Sequence, residues 1–276
     1  MSLVRTLRIL ASQRPTTPSR AVASPDRVRH RRLGGVPVTW IDEHLAGQAT
    51  IVHLHGGSYL EGETPAHWEW LEEVARRSGA AAAMVHYRLA PRHPFPAAVE
   101  DVLHALDAMA EQTLLRPGRW VLSGDEAGAG LALAVARTLP HADDPAALVL
   151  ASPWADLLPH LSAATDLGTA ARLYAGAVPG ENPRLSPLRG ALDGLPPVHL
   201  VVGASEPLAG DARRLRTALE AAGGESSLVE IASAGDDDRA ADGVAVHGRG
   251  AAAQEARRVQ IAAVRRAVGL DHLPVD

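Results

Sequence analysis

Residues 119–139 read RWVLSGDEAGAGLALAVARTL. Arg119–Leu122 is a short, largely apolar run, and a glycine-rich turn follows it. Ala129–Leu139 then carries the alanine and leucine content of a buried helix. A strand that closes on glycine and runs straight into a helix is half of a βαβ unit. The same alternation extends in both directions. Upstream, Val36–Ile41 and Thr50–Leu54 read as strands, the second ending in Gly56–Gly57. Pro65–Ser78 has helical spacing and stops at Gly79. Ala80–His86 is a further buried strand. Ala97–Glu111 is an amphipathic helix with Val99, Val102, Leu103 and Leu106 on its apolar face. Downstream, Ala147–Ala151 and Val198–Val202 are apolar strands, Ala209–Ala222 is helical, Ser227–Ile231 is a strand and Ala251–Val268 a closing helix. Strand–helix alternation predicts an α/β fold on a mostly parallel central sheet, with helices on both faces. Ligands of such sheets sit beyond the carboxyl ends of the strands, where every glycine-rich turn noted here falls.

Residues 11–30 are rich in Pro, Ser and Arg and read as a loose lead-in. The expected organisation is therefore an N-terminal cap over 1–30 and one domain over 31–276. No internal repeat is present. The 276 residues carry a formal charge of −5, with 46% hydrophobic and 21% charged residues, which suits a globular chain. There is no cysteine, which excludes a thiol nucleophile, a disulfide and Cys-ligated zinc. There is no lysine either, since all basic residues are arginine, so neither Schiff-base chemistry nor a Walker phosphate loop can be built. The mildly acidic balance argues against nucleic acid. No apolar run reaches the ~18–20 residues of a membrane span. Met1–Leu10 lacks the apolar core of a signal peptide, so the expectation is cytoplasmic.

Four segments stand out together: His55-Gly56-Gly57-Ser58-Tyr59; Tyr87-Arg88-Leu89-Ala90-Pro91 running on to Glu100-Asp101; Gly124-Asp125-Glu126-Ala127-Gly128; and Ser152-Pro153-Trp154-Ala155-Asp156-Leu157. In this order and spacing they resemble the hormone-sensitive-lipase-type esterases of the α/β-hydrolase superfamily, from about Val36 to about Val268. The resemblance implies the α/β-hydrolase fold and a serine nucleophile in a Gly-Asp-Ser-Ala-Gly turn between strand and helix. Here that position holds Glu126, and no Gly-x-Ser-x-Gly occurs anywhere in the chain.

The remaining site residues follow from the resemblance. The acid falls on Glu206, in Ser205-Glu206-Pro207-Leu208, with Asp211 as a neighbour expected on the following helix. The histidine falls on His247 in His247-Gly248, while counting from the preceding strand gives Asp237 instead. The oxyanion hole falls on the backbone N–H groups of Gly56, Gly57 and Ala127. Tyr59, His55 and Trp68 are the expected substrate contacts, with His55 more suited to shaping its loop. Asp125 is expected to hold the elbow turn, and Arg88 with Asp101 to form a structural ion pair. The lid over about 155–187 is short, with one helix at Ala163–Tyr174. No cofactor or metal is implied. Members of this family often dimerise, so a homodimer is an expectation.

Three functions compete on these residues. One is an enzyme on a small, largely apolar carbonyl or ester-like compound, with Glu126 as acid or base, running an elimination, isomerisation or cyclisation. Another is a hydrolase with a carboxylate nucleophile. The last is a hydrolase homologue that only binds its small molecule. Glu126 itself has two possible states. It either accepts the oxyanion-hole N–H groups and stays ionised, or sits in an apolar pocket with a raised pKa.

Overall fold

A computed structural model describes Ile9 and residues 11–140, 144–232 and 243–272. Its strands are β1 (Val28–Leu33), β2 (Val36–Ile41), β3 (Thr50–Leu54), β4 (Ala81–Val85), β5 (Trp120–Asp125), β6 (Ala147–Ala151), β7 (Val198–Gly203) and β8 (Ser226–Ile231). They form one sheet in the order β1-β2-β4-β3-β5-β6-β7-β8. β1 pairs antiparallel with β2 and β2 with β4, and the other neighbours run parallel. The helices are α1 (Pro65–Ser78), α2 (Ala97–Glu111), α3 (Ala127–Ala136), α4 (Leu158–Leu161), α5 (Asp166–Ala175), α6 (Ala209–Ala221), α7 (Val244–His247) and α8 (Gly250–Ala267).

Every residue of β3, β4, β5 and β6 is buried, as a sheet covered on both faces requires. The period of two along these strands splits the core. Val52, Leu54, Leu122, Leu148 and Leu150 pack with α2 and α3 on one face. Ile51, Val121 and Val149 pack with Trp70, Leu71 and Val74 of α1 and with Ile261 and Val264 of α8 on the other. The turn of interest depends on how close α3 comes to the sheet. A Cβ on Gly128 would stand 1.9 Å from the Leu54 carbonyl oxygen, and one on Gly124 would stand 2.4 Å from the Gly128 oxygen. Only residues without a side chain permit that approach.

Two expectations need correction. Residues 28–33, half of which fell inside the lead-in, form strand β1 and belong to the sheet. This edge strand buries only Leu33 fully and leaves Arg29 and His30 in solvent, so its own composition carries little strand signal. The lid holds two helices, α4 and α5, rather than one. Gln13 Nε2 donates to the Leu60 and Ala90 oxygens (2.9 and 2.6 Å), tying the N-terminal segment across the loop after β3. Among the described residues no helix is long and apolar enough to cross a membrane.

Candidate active site

Glu126 occupies the sharp turn between β5 and α3 with φ 48° and ψ −114°. A non-glycine residue in that region costs on the order of 1–3 kcal/mol and persists only where its surroundings over-determine it. Here they do. Its N–H donates to the Ala151 oxygen (3.0 Å), and its own oxygen accepts from Gly130 N (3.2 Å) and Trp154 N (3.0 Å). The neighbouring strand and the first turn of α3 thus clamp the elbow.

The loop after β3 supplies a second run of strained backbone. Gly57, Ser58 and Tyr59 all have positive φ (115°, 54° and 61°). This conformation turns the Gly57 and Ser58 N–H groups onto one Glu126 carboxylate oxygen, Oε2, at 2.6 and 2.8 Å. The Ser58 hydroxyl donates to the other, Oε1, at 2.6 Å. Glu126 therefore takes up the N–H groups that this loop turns towards the elbow. Gly56 is not one of the donors, because its N–H is taken by Asp125 Oδ1 (2.9 Å). The pair facing the cavity is Gly57 and Ser58. Ala127 opens α3, where the first N–H groups have no intrahelical acceptor.

The structure joins one half of each alternative foreseen for Glu126. The side chain accepts the amides, yet burial pushes its carboxyl above the usual range, and the Ser58 hydroxyl and the two amides do not cancel that push. A raised carboxyl holds its proton more tightly folded than unfolded, so its stabilising effect is lost as pH rises through the folded value. Glu126→Gln is accordingly expected to raise Tm at pH 8, with the gain vanishing towards pH 4. Thermal unfolding at the two pH values measures this, and an equal shift at both would refute it.

Asp125 holds the loop from below. Its Oδ2 faces His67 Nε2 (3.2 Å) and its Oδ1 faces His53 Nε2 (3.2 Å). Burial alone would raise this carboxyl, but His67 and His53 hold it well below the usual range. His67 lies in the first turn of α1, where Thr64 N–H donates to its Nδ1 (3.0 Å). With Nδ1 accepting, the ring carries its hydrogen on Nε2 and donates it to Asp125. The ligating atoms of His67, Asp125 and His247 lie within 4.8 Å of one another, a spacing that suits a cation. The tautomer opposes one, since a metal ligand must present a lone pair where His67 presents N–H. Asp125 and His67 are instead a hydrogen-bonded support for the loop, with the His247 ring beside them.

A cavity of about 530 Å3 opens above the carboxyl ends of the strands and gathers four of the nine anticipated residues. Glu126, Gly57, Glu206 and His247 all line it, as do Ser58, His67 and Ser152. Leu167 and Ala170 of α5, with Ile9 and Leu60, supply apolar wall. Glu206 is fixed by the Ser152 hydroxyl, which donates to Oε2, and by Val244 N–H, which donates to Oε1 at 2.6 Å. His247 Nε2 stands 3.9 Å from Asp125 Oδ2, and its ring meets His67 edge to face at 4.7 Å. Asp237, the alternative to His247, lies outside the described residues.

The three expected substrate contacts do not line this cavity. Tyr59 is buried and stacked on Tyr174 (3.6 Å). Trp68 is buried and donates its indole N–H to Thr16 of the N-terminal segment (2.8 Å). His55 is buried under the loop, stacked on Tyr87 (4.5 Å), with Nδ1 donating to the Gly56 oxygen (2.7 Å). Burial pushes its pKa down to about 4, so it is a neutral loop-shaping residue. Asp211 is structural, accepting from Ala155 N and Asp156 N (3.1 Å each) and pairing with Arg214. Arg88 and Asp101 form the expected ion pair at 2.7 Å.

A strained strand-to-helix elbow beside an amide-lined hole, with an acid and a histidine arriving from later segments, defines a site of the α/β-hydrolase class. Residues 51–235 match the alpha/beta hydrolase fold family, and the chain belongs to it. It is 38% identical over 205 residues to an acetyl-hydrolase of Streptomyces hygroscopicus, covering 69% of this chain and 68% of that protein. An esterase of Acinetobacter venetianus is 32% identical over 212 residues, covering 71% of this chain and 69% of that protein. An esterase/lipase structure from an uncultured bacterium superposes with TM-score 0.79 at 28% identity, over 98% of this chain and 92% of that one. An esterase of the bacterial hormone-sensitive lipase family gives 0.76 at 28% identity, over 97% and 98%.

Proposed function

We propose that the chain is an enzyme acting on a small, largely apolar carbonyl or ester-like compound, with Glu126 as the proton-transferring group. The observation that carries this reading is the raised, half-buried Glu126 carboxylate set in the oxyanion hole of an otherwise furnished cavity. A carboxyl shifted towards the working pH is a better general base than an ordinary one. The similarity to esterases and an acetyl-hydrolase points to an acyl compound. The apolar wall of Ile9, Leu60, Leu167 and Ala170 suits a short aliphatic group.

The test compares wild type with Glu126→Gln on p-nitrophenyl acetate and butyrate, and on deuterium exchange into an enolisable ketone. Removing a general base costs about 10²–10⁴-fold in rate, and a loss of at least about 10²-fold is expected. Unchanged turnover in the Gln variant would sink the reading. One observation favours a second reading, that the chain binds a small molecule without converting it: Glu126 already satisfies the amides that a substrate oxygen would need. Saturable binding of a compound recovered unchanged, with no turnover, would bring that reading forward.

A further inference from the structure

Oxyanion loops of lipases and esterases carry a His-Gly-Gly-Gly-type run, whereas this loop reads His55-Gly56-Gly57-Ser58. The elbow, where such enzymes keep their serine, holds Glu126. The two departures lie 68 residues apart in sequence and meet in space, with the Ser58 hydroxyl donating to Glu126 Oε1 at 2.6 Å. That is the length of a charge-assisted O–H···O⁻ bond. Both side chains line the cavity. Ser58 holds φ 54°, a conformation that favours glycine, so the hydroxyl stands there against the backbone preference of the position.

We infer that Ser58 is the nucleophile of this site and Glu126 its general base, a serine–carboxylate pair with the two positions exchanged. The inference rests on the reading of Glu126 as the proton-transferring group. In the acylation step Ser58 Oγ bonds to the acyl carbon of an ester while its proton passes to Glu126 Oε1. The carbonyl electron pair moves to oxygen, then returns as the bond to the alcohol oxygen breaks. The alcohol departs with the proton Glu126 had taken. Water then attacks the Ser58 ester, giving its proton to Glu126. Glu126 returns it to Ser58 Oγ as the acid leaves, so ester and water become acid and alcohol.

The geometry couples the two halves of the step. While Glu126 is ionised, its Oε2 holds the Gly57 and Ser58 N–H groups. Once Glu126 is protonated it is a weaker acceptor, and the same two amides can turn to the oxyanion. The proton transfer that activates the hydroxyl thus also frees the hole, so the stabilisation appears in the transition state rather than the ground state.

The experiment treats the full chain with a fluorophosphonate, which loses fluoride as it bonds to an activated serine, and locates the adduct by peptide mass mapping. A single adduct on Ser58 is expected. Labelling should slow at least about 10²-fold in Glu126→Gln, the lower end of what a general base supplies. It should vanish in Ser58→Gly, a variant whose backbone suits glycine and whose Tm checks folding. No adduct, or an adduct on Ser152, overturns the inference. If Glu126→Gln loses turnover while Ser58→Gly keeps it, Ser58 is wrong and the Glu126 reading stands. If both variants keep turnover, the two readings fall together.

Discussion

Asp125→Asn is expected to cost about 1–3 kcal/mol of stability, the penalty for leaving a buried hydrogen-bonding group unsatisfied. The carboxylate is buried and accepts on both oxygens. Gly56 N–H and His53 Nε2 face Oδ1, and the Nε2 of His67 faces Oδ2. Because Thr64 N–H fixes the His67 tautomer, its Nε2 is a donor. An asparagine amide offers one oxygen where the aspartate offered two. If that oxygen faces Gly56, the NH2 group meets the His67 donor. If it is flipped, the NH2 group meets Gly56 N–H. Either way one buried donor is left unpaired. The pH dependence follows from the lowered carboxyl. A depressed folded pKa contributes stability that is present above the unfolded value of ~3.9 and lost as pH falls through the folded value. Urea unfolding should therefore show a nearly constant deficit between about pH 5 and 8, shrinking in stronger acid. A deficit below about 1 kcal/mol at pH 7, the scale of an ordinary hydrogen bond, would contradict the network.

The fold was legible wherever an apolar run met a chemical stop. Strands Thr50–Leu54 and Ala147–Ala151 and helices Pro65–Ser78 and Ala97–Glu111 fall where the sequence places them. In α1 the stop is Gly79 at φ 69°, a left-handed cap that glycine adopts without strain. Helix α3 begins two residues before its expected start, at Ala127. Its glycines look like a loop in isolation and are instead the contact surface against β3 and β5. Strand β1 is not legible in the sequence because a ladder on one side, with Arg29 and Arg32 in solvent, needs no apolar composition.

The site was legible in a narrower sense. Motif position identified Glu126, Gly57, Glu206 and His247, all of which line the cavity. It did not identify Ser58, His67 or Ser152. Their roles come from contacts with residues 54 to 68 positions away in sequence: Ser58 with Glu126, His67 with Asp125, and Ser152 with Glu206. The misplacement of Tyr59 and Trp68 has the same origin. Standing next to a motif says nothing about which way a side chain leaves the backbone. One usable signal was present, a serine where an oxyanion loop of this type has glycine, followed by a carboxylate where it has serine.

The double variant Ser58→Gly/Glu126→Ser is expected to hydrolyse p-nitrophenyl acetate at least about 10³-fold faster than the same chain also carrying His247→Ala, a conservative figure for the loss of a triad base. It restores both motif positions together, which neither single change does. Removing the carboxylate leaves the N–H groups of positions 57 and 58 facing the cavity, where Glu126 Oε2 now holds them. The glycine relieves the left-handed backbone at position 58. The introduced hydroxyl stands on an elbow already clamped by Ala151, Gly130 and Trp154. Glu206 needs no rearrangement, since Ser152 and Val244 hold it at the cavity wall. His247 shares that cavity and must turn its ring from Asp125 towards the new hydroxyl. A rate that depends on His247 means the chain keeps the acid, histidine and hole of a serine esterase and departs from it only at positions 58 and 126. A rate that survives His247→Ala, with Tm intact, places the base elsewhere and removes His247 from the site.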